Sequence, residues 1–101
     1  MTIEKTSEIK HKGLREFYEK QKTKGIQQDH TKVLRAILIH LDAAKSLNDI
    51  AGGLGQLKNH HKLSGYKHRY AMSVNGNWRV TYDCQDPATG VVTIIDYEDY
   101  H

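Results

Sequence analysis

The sequence predicts an α+β domain in which two helices pack on a small twisted antiparallel sheet. Three observations carry this expectation. Apolar residues recur at three-to-four spacing through the first half of the chain, as on one face of a helix. The spacing then changes to alternation on both sides of Asn75-Gly76, a dipeptide that closes tight hairpins. Finally, the turn-forming stretch QDPATG leads into an apolar run, Val91–Ile95. At 101 residues, with one proline and no internal repeat, residues 1–101 are expected to make a single domain around one core.

Met1–Glu8 is assigned a short first strand. Lys10–Lys22 reads as the first helix, with Leu14, Phe17 and Tyr18 on one side and Gly25 as its stop. The second helix should run from about Gln28 to Ala44, with Asp29 as its N-cap. Its Val33, Leu34, Ile37, Leu38 and Leu41 form the apolar stripe, while Lys32, Arg35 and Asp42 face outward. SLNDIAGGLG is a turn-rich connection that can hold a short helical turn. The hairpin strands are Tyr66–Val74 and Asn77–Cys84. Tyr70, Met72 and Val74 share one side of the first, and Trp78, Val80 and Tyr82 one side of the second. Arg79, Thr81 and Asp83 take the opposite face, because side chains alternate along a strand. The last strand extends from Val91 to about Glu98.

Composition narrows the function classes. Hydrophobic residues make up 38% and charged residues 27%, as in a soluble globular protein. No apolar stretch is long enough to span a bilayer, and the N-terminus has no signal-like apolar core, so a cytoplasmic location is the expectation. Cys84 is the single cysteine, which excludes an internal disulfide and a cysteine-rich zinc site. The net charge of +3 is unevenly spread. No acid lies between Asp49 and Asp83, a window holding Lys58, Lys62, Lys67, Arg69, Arg79, His60, His61 and His68; from Asp83 onward there are acids and no Lys or Arg. A segment of one sign suits a polyanion such as nucleic acid, or else pairs with the acidic C-terminal strand.

Two residues stand out as candidates for chemistry. Arg79 is either a cross-strand partner for Asp96 or Glu98, or a guanidinium aimed at a phosphate, which its planar donor fork suits. His101 ends the chain beside Asp99 and Tyr100, where negative neighbours favour its protonated form and suit it to donate a proton. His60, His61 and His68 raise a metal-site reading. Adjacent histidines point different ways along an extended chain, and no compact ligand set follows, so no metal and no cofactor is expected. A phosphate-cradling glycine loop and a nucleophile elbow are both missing.

The segments SVNGNWRVTY (73–82) and DYEDYH (96–101), with HKGLREFYE and LDAAKSLNDI in the helical half, resemble toxins of the RelE/ParE superfamily, of the HigB type. The likeness runs over essentially the whole chain, and an NGNWR hairpin combined with a terminal DYH is fairly specific. It implies a RelE/ParE-like fold and a metal-independent endoribonuclease that cleaves mRNA on the translating ribosome. It also implies a cognate antitoxin, a HigA-like helix-turn-helix protein. By position, Arg79 would contact the phosphate, and Asp99, Tyr100 and His101 would form the C-terminal part of the site. That family commonly places a lysine where Ser64 stands here, and Lys62 or Lys67 would supply the charge instead. Lys58, Arg69, Lys67, His68 and a stacking Tyr100 would complete the RNA contacts. Two other readings stay open: a ParE-like poison of DNA gyrase, against which the terminal acid–base cluster argues, and a non-catalytic RNA- or protein-binding domain, which Ser64 favours.

Overall fold

The computed structural model describes Ile3 and residues 8–99. Helix α1 spans Lys12–Lys20, and a 3₁₀ turn at Gln28–His30 leads into α2, Thr31–Ala43. Two short helices follow, α3 at Leu47–Ala51 and α4 at Leu54–Leu57. The strands are β1 His61–Lys62, β2 Arg69–Asn75, β3 Trp78–Asp83 and β4 Thr93–Asp99. They form an antiparallel sheet in the order β1-β2-β3-β4. The α+β architecture is the one expected.

The core lies between the helices and one face of the sheet. Leu14 and Phe17 of α1 and Leu34, Ile37, Leu38 and Leu41 of α2 join Met72, Val74, Val80, Tyr82, Ile95 and Tyr97 in one buried cluster. Each such side chain removed from water contributes roughly 1.5–3 kcal/mol, which fixes the sheet's inner face. Tyr18 and Val33 flank the cluster half-buried.

The helix ends differ from expectation for local reasons. α1 starts later than Lys10 because His11 is its cap: Nδ1 accepts from the Leu14 N–H at 3.0 Å. It ends at Lys20 because Gln21 turns left-handed (φ 59) and its N–H bonds the Phe17 carbonyl at 3.0 Å. Gly25 is therefore not the stop; it packs against Gly13. Asp29 is not the N-cap of α2, since it sits inside the 3₁₀ turn and His30 precedes the helix, buried against Tyr97 with Nδ1 2.5 Å from the hydroxyl. The glycine-rich connection holds α3, capped by the Ser46 hydroxyl, and α4. β1 was not foreseen. Most of the first strand proposed for Met1–Glu8 lies outside the described residues. What is described is a parallel bridge from Ile9 to Ile95, with the Lys10 N–H donating to the Ile95 carbonyl at 2.7 Å.

At the Gly13–Gly25 contact a β-carbon on Gly13 would lie 2.3 Å from the Gly25 oxygen, and one on Gly25 2.5 Å from the Gly13 α-carbon. This backbone-on-backbone approach fastens the 21–27 connection to the start of α1. Gly13→Ala should therefore destabilise the protein by about 1–3 kcal/mol through overpacking, read as a lower urea midpoint with an unchanged slope.

Candidate active site

β3 has neighbours on both sides, so its alternation sorts the sheet's side chains. Trp78, Val80 and Tyr82 face the helices. Arg79 lies between Ser73 of β2 and Glu98 of β4, and Thr81 between Ala71 and Asp96, with His61 of β1 opposite Ala71. These residues share the face turned away from the helices. There a cleft of about 250 Å³ is lined by Asn59, His61, Ser73, Asn77, Trp78 and Arg79, with Gly76 at the hairpin turn.

His61 enters this cleft without having been foreseen as a site residue. Its Nδ1 lies 2.7 Å from the Asn59 carbonyl. A carbonyl only accepts, so Nδ1 carries a proton, and the tautomer this fixes is the one whose acceptor is Nε2. The His60-His61 pair does point two ways. His60 stacks on Tyr70 and on Tyr82, with ring centroids 5.3 and 6.1 Å away. Its Nε2 is buried with no hydrogen-bond partner among the described residues, and so is the Tyr82 hydroxyl. Burial pushes the His60 imidazole below its usual 6.5, and the neighbouring His61 and His40 add to the effect. Burial also pushes the Tyr82 hydroxyl up, so it stays protonated.

Arg69 meets a carboxylate-rich neighbourhood. Its Nη1 donates to Asp83 Oδ1 at 2.8 Å and to the Ile94 carbonyl at 3.0 Å, and Nη2 donates to the Thr81 hydroxyl at 2.8 Å. Glu98 Oε2 lies 4.0 Å from Nη2 and accepts from the Thr81 hydroxyl. With its side chain only 14% exposed, Arg69 serves the sheet's own ion network, so its guanidinium is occupied where an RNA contact was expected. The network also holds Ile94, a β-branched residue in left-handed backbone (φ 51), whose N–H donates to Glu8 at 3.2 Å.

The other expected site residues distribute as follows. Lys62 lies in the row of Tyr70 and Tyr82, so alternation turns it from the face that carries Arg79 and His61. Lys67 and His68 are exposed in the turn between β1 and β2, beside exposed Ser64. Lys58 is half-buried, and its carbonyl accepts from the Ser73 N–H at 2.8 Å, which extends the edge of the sheet beyond β1. Asp99 pairs with Trp78 and so belongs to the Trp78 row, next to the Arg79 row. Trp78 is tilted on Tyr97 at 4.5 Å, and His11 and His30 meet these rings edge-on. Tyr100 and His101 lie outside the described residues. Cys84 is buried, and burial with the nearby Asp86 pushes its thiol up, so it is a packing residue. Among the described residues no three His, Cys, Asp or Glu side chains gather as a metal site, and no helix is long and apolar enough to cross a membrane.

Comparison with known proteins gives a consistent result. The family described as "RelE-like toxin of type II toxin-antitoxin system HigB" matches residues 7–101. The chain is 31% identical over 94 residues to the protein named Endoribonuclease HigB from Proteus vulgaris, covering 92% of this chain and 96% of that one.

Two outcomes follow from the sheet's polar groups. Arg69→Met should cost about 2–4 kcal/mol, because it leaves Asp83 and Glu98 without their cation in a half-buried setting; thermal unfolding measures this. For His60, the unfolded chain binds a proton more readily than the folded one. Stability should therefore be full above pH 6.5 and fall as the pH drops through 6.5. His60→Phe keeps the stacking and removes the titration, so its loss of Tm between pH 7.5 and 5.5 should be smaller than the parent's.

Proposed function

Because the chain belongs to the family of RelE-like HigB toxins of type II toxin–antitoxin systems, we propose that it is an endoribonuclease that cuts mRNA on the translating ribosome in the cytoplasm. Residues 1–101 act as one toxin domain, held inactive by a HigA-like antitoxin. The observation that carries the reading is that Arg79 and His61 line one cleft on one face of the sheet.

RNA brings its own nucleophile, so the chemistry needs an acid, a base and a cation. His61 Nε2, the acceptor nitrogen of the neutral ring, takes the proton from the ribose 2′-OH. The 2′-oxygen then attacks the adjacent phosphorus, and the bond from phosphorus to the 5′-oxygen breaks. His101 protonates the departing 5′-oxygen, leaving a 2′,3′-cyclic phosphate and a 5′-hydroxyl. Acid–base help of this kind is worth about 10²–10⁴-fold. Arg79 stabilises the charge that accumulates on the pentacoordinate phosphorus, the larger share in such reactions. Asp99 orients the terminal imidazole, and Tyr100 stacks on an exposed base. Lys58, Lys62, Lys67 and His68 form a basic rim along the β1–β2 edge, which attracts the backbone without specifying sequence.

Mapping of 5′ ends on a reporter mRNA in a translating extract tests this, with a parallel tube lacking ribosomes. Cuts are expected in the translating tube alone, reduced at least about 100-fold in Arg79→Ala, His61→Ala and His101→Ala. Cuts that persist in His61→Ala would remove that residue from the mechanism. A folded protein that makes no cuts under either condition would sink the nuclease reading and turn attention to gyrase or to a binding role.

A further inference from the structure

On the helical side of the molecule, across the core from Arg79, α1 and α2 leave a groove of about 250 Å³ between Phe17, Tyr18, Arg35, Leu38, Ile39 and Asp42. We propose that this groove is where the antitoxin docks, with an apolar side chain against Ile39 and a lysine or arginine directed at Asp42. The inference rests on the toxin–antitoxin reading and adds the surface and its chemistry.

Two features of the groove are unmet by the chain itself. Ile39 is 61% exposed in the middle of a helix whose other large apolar residues are buried or half-buried. Asp42 is half satisfied: the Tyr18 hydroxyl donates to Oδ2 at 2.7 Å, while Oδ1 is shielded from solvent and accepts from no group among the described residues. Burial and the hydrogen bond to the carboxylate push the Tyr18 hydroxyl up to about 12, so it stays a donor. A shielded carboxylate oxygen lacking a donor is costly, and a partner's cation relieves that cost. Arg35 is stacked over the Phe17 ring, 5.2 Å from its centre, and closes the groove's other wall.

These features select a polypeptide over the substrate. RNA phosphates only accept, so they cannot satisfy Asp42, and their charge opposes it. Ile39 offers exposed apolar area that a peptide side chain covers and a phosphodiester backbone does not. The pairing of an apolar pocket with an acid at its rim matches a segment that carries a hydrophobic residue beside a basic one.

The test is co-expression of the tagged protein with the antitoxin reading frame of its own operon, followed by co-purification, affinity measurement and growth rescue. Ile39→Glu and Asp42→Asn are compared with the parent. The first places a charge at an exposed position and the second keeps the shape of the side chain, so both should fold, as Tm confirms. Each should weaken antitoxin binding about tenfold or more and reduce rescue, while mRNA cleavage by the free toxin stays at the parent level. Parent-like binding by both variants overturns the docking site. Failure of the parent itself to bind overturns the antitoxin reading together with this one. Absent cleavage combined with variant-sensitive binding leaves the docking site standing and sinks the nuclease reading. Sedimentation of the protein alone is the last check: a dimer that Ile39→Glu dissociates would assign the groove to a second copy and overturn the proposal.

Discussion

Every feature of the candidate site depends on one register, that of β3 between β2 and β4. Side chains on a strand have a period of two, so a slip of one residue would carry Trp78, Val80 and Tyr82 out of the core and bring Arg79 and Asp83 into it. The hairpin at Asn75-Gly76 fixes the register locally, with Gly76 in the left-handed conformation (φ 55) that a tight turn requires. The irregularity between Ser73 and Asn75 absorbs the turn without disturbing the Ser73–Arg79 pairing. Burial of Tyr82 and Val80 then makes the alternative register prohibitively costly. The face on which Arg79 stands is thus set by the hydrophobicity of its neighbours.

The polar face has its own internal order. Three carboxylates, Asp83, Asp96 and Glu98, stand on the face that presents Arg79, and negative charge there opposes a phosphate. Arg69 counters this by holding Asp83 directly and drawing Glu98 Oε2 towards itself with the help of Thr81. The basic segment and the acidic last strand are therefore partly each other's partners, as one reading of the charge pattern allowed. What that segment offers a polyanion is Arg79 at the cleft and the outer stretch from Lys58 to His68 along the edge of the sheet.

The parts of the molecule governed by short-range periodicity were legible in the sequence. The α2 stripe, the hairpin and the opposite placement of Trp78 and Arg79 each follow from spacing alone. Features set by contacts distant in sequence were not legible. His30 displaces Asp29 from the start of α2 because Tyr97, 67 residues later, accepts its ring into the core. Arg69 looked like another surface cation until the sheet placed Asp83 and Ile94 around it. Gly25 resembled a helix stop, yet its constraint is contact with the Gly13 backbone. His61 carried a weak signal: two adjacent histidines in an extended segment must face opposite ways, so one of them had to share a face with its neighbours' outward residues. Which one did so depended on β1, a two-residue strand that periodicity cannot reveal.

That short strand gives the site an unusual dependence. His61 and Asn59 reach the cleft only while the 58–62 segment lies along β2, held by the pairings of His61 and Lys62 and by the Lys58 carbonyl on the Ser73 N–H. The segment's own anchor in the protein is His60, stacked on two tyrosine rings with a buried nitrogen that has no partner among the described residues. A charged imidazole is poorly accommodated there, because burial penalises its charge and His61 and His40 add to the effect. The neutral ring thus holds the wall of the cleft in place. Protonation works against the same packing that positions His61, so the residue buried for structure and the residue exposed for chemistry are linked through one peptide bond.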